Sequence, residues 1–158
     1  MFLDGYSILV AIGMKVLIAY DGSESAKKAV EITLKFAKKE DDVILLTVIP
    51  GELLSSSFTK MLLPTINLDQ IVKGGTFKER AEETLKEVAQ KLEGKVAGVE
   101  TVVETGDPAD EILLTAKKNL CNLIVLGYKG FGKEGRFLIG SVTDKVVRHA
   151  STSVMVVR

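Results

Sequence analysis

The chain has 158 residues, 46% of them hydrophobic, and its 21 basic and 21 acidic side chains give a formal net charge of zero. This length suits one domain with a buried core, and the balanced charge argues against a nucleic acid or an anionic membrane surface as a partner. The single cysteine, Cys121, cannot form an internal disulfide, so we expect a cytoplasmic protein.

The first thirteen residues, MFLDGYSILVAIG, are apolar enough to raise the question of a signal peptide or a membrane anchor. They have no basic start, they carry Asp4, and their apolar run from Ile8 to Ile12 is far shorter than the roughly 20 residues that cross a bilayer. We expect residues 1–13 to be an optional extension, with an added strand or a dimer contact as the alternative, and the domain to cover residues 14–158.

From Met14 onward, short branched apolar runs alternate with segments of helical hydrophobic spacing, which is the pattern of an α/β fold. Lys15–Tyr20 predicts the first strand, which ends at turn residues, and residues 26–37 predict the first helix. Val43–Val48 predicts the second strand, apolar on both faces as a parallel strand between helix layers should be.

Residues 51–75 contain Ser, Pro and Gly clusters, and loops of this length usually serve as lids, binding loops or disordered connections. We therefore expect a mobile excursion there. Thr76 with Glu79 three residues later forms a capping box that starts the second helix. The buried stripe of that helix is predicted to contain Ala81, Leu85, Val88 and Leu92.

Residues 99–104 alternate and predict a third strand that is short and lies at a sheet edge. Asp107 caps the third helix, and Pro108 follows at a position that needs no amide donor. The remaining elements are a fourth strand at Leu123–Leu126, a glycine-rich loop at 127–140, a last helix at Ser141–His149 and a fifth strand at Val154–Val157.

Five strands joined by helical crossovers predict a doubly wound parallel sheet with helices on both faces. In such sheets, ligands bind beyond the carboxyl ends of the strands, at the point where the strand order reverses. With the order 3-2-1-4-5, the loops after strands one and four flank that crevice.

The segment GYKGFGKEGRFLIGSVT, residues 127–143, offers several patterns that bind phosphate in other proteins. Gly127, Gly132 and Lys133 match the start of a P-loop. Glu134 then stands where a Ser or Thr hydroxyl must meet magnesium, so a true P-loop is disfavoured.

Gly130, Gly132 and Gly135 also spell the GxGxxG dinucleotide fingerprint. That fingerprint belongs to the first strand–helix turn of its unit and needs an acidic residue about 20 residues later, whereas only one strand follows here. NAD binding is therefore disfavoured, and a merely flexible glycine turn remains the structural alternative.

The last pattern is G-x2-G-x9-G-[ST], formed by Gly127, Gly130, Gly140 and Ser141. This spacing, directly after an apolar strand and directly before an amphipathic helix, resembles the ATP-binding signature of universal stress proteins. The opening KVLIAYDGSESA is similar to that family's first strand and turn, and the closing SVMVVR is similar to its last strand. The resemblance covers residues 14–158.

The physical chemistry of these residues is consistent with phosphate binding. Gly140 and Ser141 begin the last helix, where unpaired amides and the positive end of the helix dipole attract phosphate, and glycine allows close approach. Ser141 adds a hydroxyl donor, Thr143 can add another, and Lys129 can bring a cation within the loop.

The resemblance implies the universal stress protein fold, with Asp21 contacting the adenosine and the backbone of Val48 pairing with the adenine edge. From the residues alone, Asp21 could instead cap the first helix and Val48 could be core. The expected ligand is ATP, with AMP and ADP as alternatives and magnesium held through the phosphates; Tyr128 is bulkier than the small residue often found there. The predicted site consists of Ala19, Tyr20, Asp21, Val48, Leu126, Gly127, Lys129, Gly130, Gly140, Ser141, Val142 and Thr143.

Residues suited to catalysis are few. We expect His149 to be a surface residue and Cys121 to be a small core residue, while Asp107, Asp110 and Glu111 fit the electrostatics of a helix start better than a metal site. The expected function is a nucleotide-holding module of the stress response that pairs as a homodimer through its last strand. The alternative is an enzyme on the same fold, either a slow ATPase or a nucleotidyl transferase.

Overall fold

A five-stranded sheet forms the centre of the molecule in a computed structural model, which describes residues 13–54, 77–130 and 139–158. Its strands are β1 (Lys15–Ala19), β2 (Asp42–Pro50), β3 (Gly98–Gly106), β4 (Leu123–Gly127) and β5 (Ser153–Val157). Their order is β3-β2-β1-β4-β5, and every neighbouring pair is parallel. The predicted sheet and its strand order are confirmed.

The helices that connect the strands cover both faces of this sheet. They are α1 (Glu24–Phe36), α2 (Phe77–Gln90), α3 (Pro108–Lys118) and α4 (Ser141–His149), and a short 3-10 turn spans Gly51–Leu54. Because side chains alternate along a strand, Val16 and Ile18 of β1 join the core under α1 and α2, whereas Leu17 joins the core under α3 and α4. Each face therefore has its own buried cluster.

Strand β3 lies at a sheet edge as predicted, but the prediction that it is short is wrong. It pairs with β2 over nine residues, from Asp42 opposite Gly98 to Pro50 opposite Gly106. Glu100 and Thr101 on β3 are exposed, so the apolar pattern fades where the backbone pairing continues.

The third helix begins as its sequence predicts. The Asp107 carboxylate accepts a hydrogen bond of 3.0 Å from the Asp110 amide, and Pro108 follows at the first helical position. Lys145 of α4 bridges this helix start, with its Nζ 3.1 Å from Asp107 and 2.7 Å from Asp110. The pKa of Asp107 is lowered, first by the Asp110 amide and then by Lys145.

The end of α3 contains a backbone feature that the sequence did not reveal. Leu120 has a φ of 55°, in the left-handed region, while the Cys121 amide donates back to the Ala116 carbonyl at 2.9 Å. Glycine is the usual residue at such a helix end, and a side chain there costs roughly 1 kcal/mol. The Leu120 side chain is 83% exposed, so burial does not offset that cost.

Several predictions fall on residues outside the described ranges. These are the extension within residues 1–12, the excursion within 55–76 with the Thr76 cap, and the loop residues 131–138. None of the described helices is long and apolar enough to span a bilayer.

Candidate functional site

The candidate crevice is at the carboxyl ends of the two central strands, β1 and β4, which lie side by side. Ala19 ends β1 directly beside Leu126 of β4, so the turn after β1 and the loop after β4 leave the sheet together. Since β2 and β4 flank β1 on opposite sides, this is the point at which the strand order reverses. The position matches the one predicted for ligand binding.

The turn after β1 is held by its own side chains. The Asp21 carboxylate accepts a 2.9 Å hydrogen bond from the Ser23 amide, and Gly22 takes a φ of 82° between them. Ser23, rather than Asp21, caps α1, since its hydroxyl oxygen accepts a hydrogen bond from the Ala26 amide at 3.2 Å. Asp21 is exposed and is not needed as a helix cap.

The same turn approaches the glycine loop closely at Gly130. A Cβ atom built on Gly130 would lie 2.5 Å from Oδ2 of Asp21, a separation that real Cβ atoms do not show. Glycine at this position therefore lets the loop lie against the Asp21 carboxylate. The structure brings two of the predicted site residues together, although they are 109 positions apart in the sequence.

Two serines at the start of α1 hold the loop after β4 by hydrogen bonds. The Ser25 hydroxyl donates to the Lys129 carbonyl, and the Ser23 hydroxyl lies 3.4 Å from the same oxygen. A Cβ on Gly127 would collide with Ser25, so this glycine is required by close packing. Ser25 is not among the predicted site residues, and the only sequence signal for it is its place in the DGSES run after the first strand.

The beginning of α4 presents backbone donors that have no acceptor among the described residues. Gly140 is the capping residue and has no side chain to accept from the helix, and the first bond within the helix runs from the Asp144 amide to the Gly140 carbonyl at 2.8 Å. Among the described residues, no acceptor meets the amides of residues 141–143. Such a helix start attracts anions through its free donors and its dipole.

Gly140 is itself packed tightly against the other end of the loop. Its amide donates to the Tyr128 carbonyl at 2.7 Å, and a Cβ built on it would lie 3.3 Å from both that oxygen and the Lys129 Cα. The two ends of the loop therefore meet, and a side chain at position 140 would press on its backbone.

The three residues that follow Gly140 have different roles. Ser141 is exposed, and its hydroxyl bonds no other described residue. Val142 packs on the core under α3 and α4. Thr143 is only 3% exposed, and its hydroxyl donates to the Gly127 carbonyl at 2.8 Å. In this structure that hydroxyl joins α4 to the end of β4.

Strand β2 extends beyond β1 and forms one wall of the crevice. The last β1–β2 pair is Ala19 with Leu46, and the Tyr20 amide then donates to the Leu46 carbonyl at 2.8 Å. Backbone groups two residues apart on a strand point the same way, so the amide and carbonyl of Val48 face the crevice. No described backbone group pairs with them there. The Thr47 hydroxyl donates to the Tyr20 carbonyl at 2.7 Å, where the strand pairing with β1 ends.

Aromatic side chains near the crevice lie on different sides. Tyr20 is 8% exposed and belongs to the core under α1 and α2, where burial raises the pKa of its phenol. Tyr128 has two cations near its ring, with Lys129 Nζ 5.6 Å and Arg158 Cζ 5.5 Å from the ring centroid. Tyr20 can therefore meet a ligand only through its backbone.

Neither a metal cluster nor the histidine or cysteine of the chain lies at the crevice within the described ranges. Residues 13–54, 77–130 and 139–158 contain no cluster of three His, Cys, Asp or Glu side chains that could hold a metal. His149 and Cys121 lie at the opposite end of the sheet, at the end of α4 and just before β4. The P-loop and GxGxxG residues Gly132, Lys133, Glu134 and Gly135 fall outside these ranges.

Comparison with known proteins agrees with this geometry. A family model described as the universal stress protein family matches residues 14–158. Universal stress protein YxiE of Bacillus subtilis is 30% identical over 147 residues, covering 91% of this chain and 98% of YxiE.

Solved structures give the same result. The structure of MJ0577 superimposes with a TM-score of 0.74 at 27% identity, covering 92% of this chain and 96% of that one; MJ0577 is a universal stress protein of Methanocaldococcus jannaschii. The Arabidopsis thaliana family member At3g01520, solved with AMP bound, shares the fold, with a TM-score of 0.62 at 24% identity over 91% of this chain and 90% of that one. The chain belongs to the universal stress protein family.

Proposed function

We propose that the protein binds an adenine nucleotide, with ATP as the expected ligand, in the crevice between the turn after β1 and the start of α4. The observation that carries this proposal is the first turn of α4, whose amides meet no acceptor among the described residues and lie beside a glycine loop fastened to α1. A phosphate placed there would receive donors that no described residue uses.

The adenosine half of the ligand is assigned to the β1 and β2 side. Val48 offers one amide donor and one carbonyl acceptor toward the crevice, which complements the alternating donor and acceptor on the edge of adenine. Oδ1 of Asp21 accepts a hydrogen bond from the Ser23 amide, and Oδ2 can accept one from a ribose hydroxyl.

The phosphates are assigned to Gly130, Gly140 and Ser141 with the amides that follow. Each charge-assisted hydrogen bond contributes about 1.5 to 3 kcal/mol, so a few of them give a dissociation constant of roughly micromolar. Magnesium would enter with the phosphates. The AMP bound to the Arabidopsis relative keeps AMP, like ADP, an alternative ligand.

We further propose that the protein holds its nucleotide as a regulatory module of the stress response. The only histidine and the only cysteine of the chain lie away from the crevice, so neither can serve there as a base or a nucleophile. Single-turnover incubation with ATP should leave bound, largely uncleaved nucleotide; sustained release of phosphate or pyrophosphate would favour the enzyme alternative.

Strand β5 is proposed as the contact of a cytoplasmic homodimer. It forms the outer edge of the sheet, and its Val156 side chain is 37% exposed. An apolar strand edge with unpaired backbone groups readily accepts a second strand.

Replacement of Gly140 by Val tests the binding site. Its branched side chain would press on the backbone of Tyr128 and Lys129 and enter the space above the helix start, so ATP binding measured by calorimetry should be lost. Gly51→Val is the matched control, because a Cβ there meets nothing nearer than 3.9 Å. ATP affinity unchanged in a folded Gly140→Val protein would refute this site.

A further inference from the structure

A second concave site opens at the opposite end of the sheet from the nucleotide crevice. It is a groove of about 610 Å³ at the start of β4 and β5, between the carboxyl ends of α3 and α4. This volume falls within the range of small-molecule sites. Its principal lining residues are Leu114, Lys117, Leu120, Cys121, Ile124 and His149.

Two leucines of the groove are unusually exposed to water. Leu114 is 57% exposed and Leu120 is 83% exposed. Leu120 also holds the left-handed backbone conformation that glycine adopts at lower cost. The left-handed conformation ends α3 and lets the Cys121 amide reach the Ala116 carbonyl, but it leaves the Leu120 side chain in water. Two exposed leucines beside a groove indicate a contact with another molecule.

The charge of the groove has one sign. Among the residues that line it, Lys117 has a cationic side chain, and no carboxylate is present. Lys117 forms no ion pair with any described residue. Burial raises the pKa of the Cys121 thiol, which therefore adds no negative charge.

The polar side of the groove contains His149 as well as Lys117. His149 Nδ1 lies 2.8 Å from the Lys145 carbonyl, so Nδ1 carries the proton of that bond and Nε2 is left as an acceptor, which does not serve a carboxylate. Lys117 therefore supplies the cation on one side of an otherwise apolar groove.

We propose that this groove binds a small amphipathic carboxylate. Its hydrocarbon body packs on Leu114, Leu120 and Ile124, and its head group meets the Lys117 ammonium. The charge of the lining selects an anion, and the exposed leucines select an apolar chain. This proposal does not depend on nucleotide binding at the other end of the sheet.

Titration of decanoate into the full-length protein tests the proposal. Calorimetry should show saturable binding, and bound decanoate should slow alkylation of Cys121, the only cysteine of the chain. Lys117→Gln should weaken binding roughly tenfold through loss of a charge-assisted bond. The neighbouring Lys118→Gln, which does not line the groove, is the matched control and should bind as the original protein does.

Leu120→Gly separates ligand contact from folding. The substitution relieves the backbone, so the melting temperature should rise by about 2 to 4 °C while decanoate affinity falls. Phe77→Ser, an exposed apolar position outside the groove, should leave affinity unchanged. The proposal is overturned if decanoate does not saturate below about 1 mM, if decanol binds equally well, or if Lys117→Gln and Leu120→Gly both retain the original affinity.

Discussion

Replacement of Thr143 by Val separates two roles for a hydroxyl at the proposed site. The sequence suggested that this hydroxyl could bind phosphate, whereas in the structure it donates to the Gly127 carbonyl at 2.8 Å. Valine keeps the branched shape and removes only the donor. We therefore expect the substitution to loosen the contact between α4 and the end of β4.

The size of the effect follows from burial. Thr143 is 3% exposed, so water cannot easily replace the lost donor. A partly buried carbonyl left without its partner costs about 1 to 3 kcal/mol, and we take about 2 kcal/mol as the expected loss in the free energy of unfolding. For a domain of this size, that corresponds to a melting temperature lower by about 4 to 8 °C.

Urea unfolding and ATP calorimetry on the same samples measure both roles. Thr33→Val is the matched control, because Thr33 is equally buried but its hydroxyl bonds the Ala29 carbonyl within its own helix; we expect a loss below about 1 kcal/mol there. If Thr143→Val unfolds like the original protein but loses ATP affinity, the hydroxyl serves the ligand and the structural assignment is refuted.

Three further predictions concern the loop, the helix start and the sheet edge. Ser25→Ala removes the donor to the Lys129 carbonyl, so urea unfolding should show a loss of about 1 kcal/mol and ATP should bind more weakly; no change in either measurement would contradict the fastening role of Ser25. Because the folded state lowers the pKa of Asp107, its charge stabilises the protein above the unfolded pKa, and this contribution is lost as pH falls through the folded value. Asp107→Asn should therefore lose less stability than the original protein between about pH 7 and pH 3, as thermal melts at both pH values would show; equal losses would count against it. Val156→Lys places a charge on the β5 edge and should give monomers by light scattering, whereas dimers of undiminished affinity would exclude that edge as the contact.

The fold was accessible from the sequence because its elements have local signals. The last helix, Ser141–His149, was predicted to the residue, since glycine precedes it and its apolar positions recur at helical spacing. The length of β3 was not predicted correctly, because Glu100 and Thr101 face solvent and interrupt the apolar pattern. Pairing with β2, rather than its own side chains, sets the extent of that strand.

The candidate site was only partly accessible, because its contacts join distant positions. The glycine spacing located the start of α4, but nothing local to Ser25 indicated a bond to a carbonyl 104 positions later. The same holds for Thr143, whose side-chain type permits either role and whose partner depends on how α4 packs against β4. Leu120 was missed because a left-handed conformation leaves no mark on a leucine in the sequence.

The extension of β2 past β1 has an evolutionary consequence under the proposed binding mode. A base read by the main chain of Val48 faces a donor and an acceptor that every amino acid except proline supplies. Guanine has an acceptor where adenine has a donor and a donor where adenine has an acceptor, so donor would face donor and acceptor would face acceptor at Val48. Side-chain substitutions along β2 would then leave the preference for adenine unchanged. A preference for another base would require a change in the path of the β2 backbone.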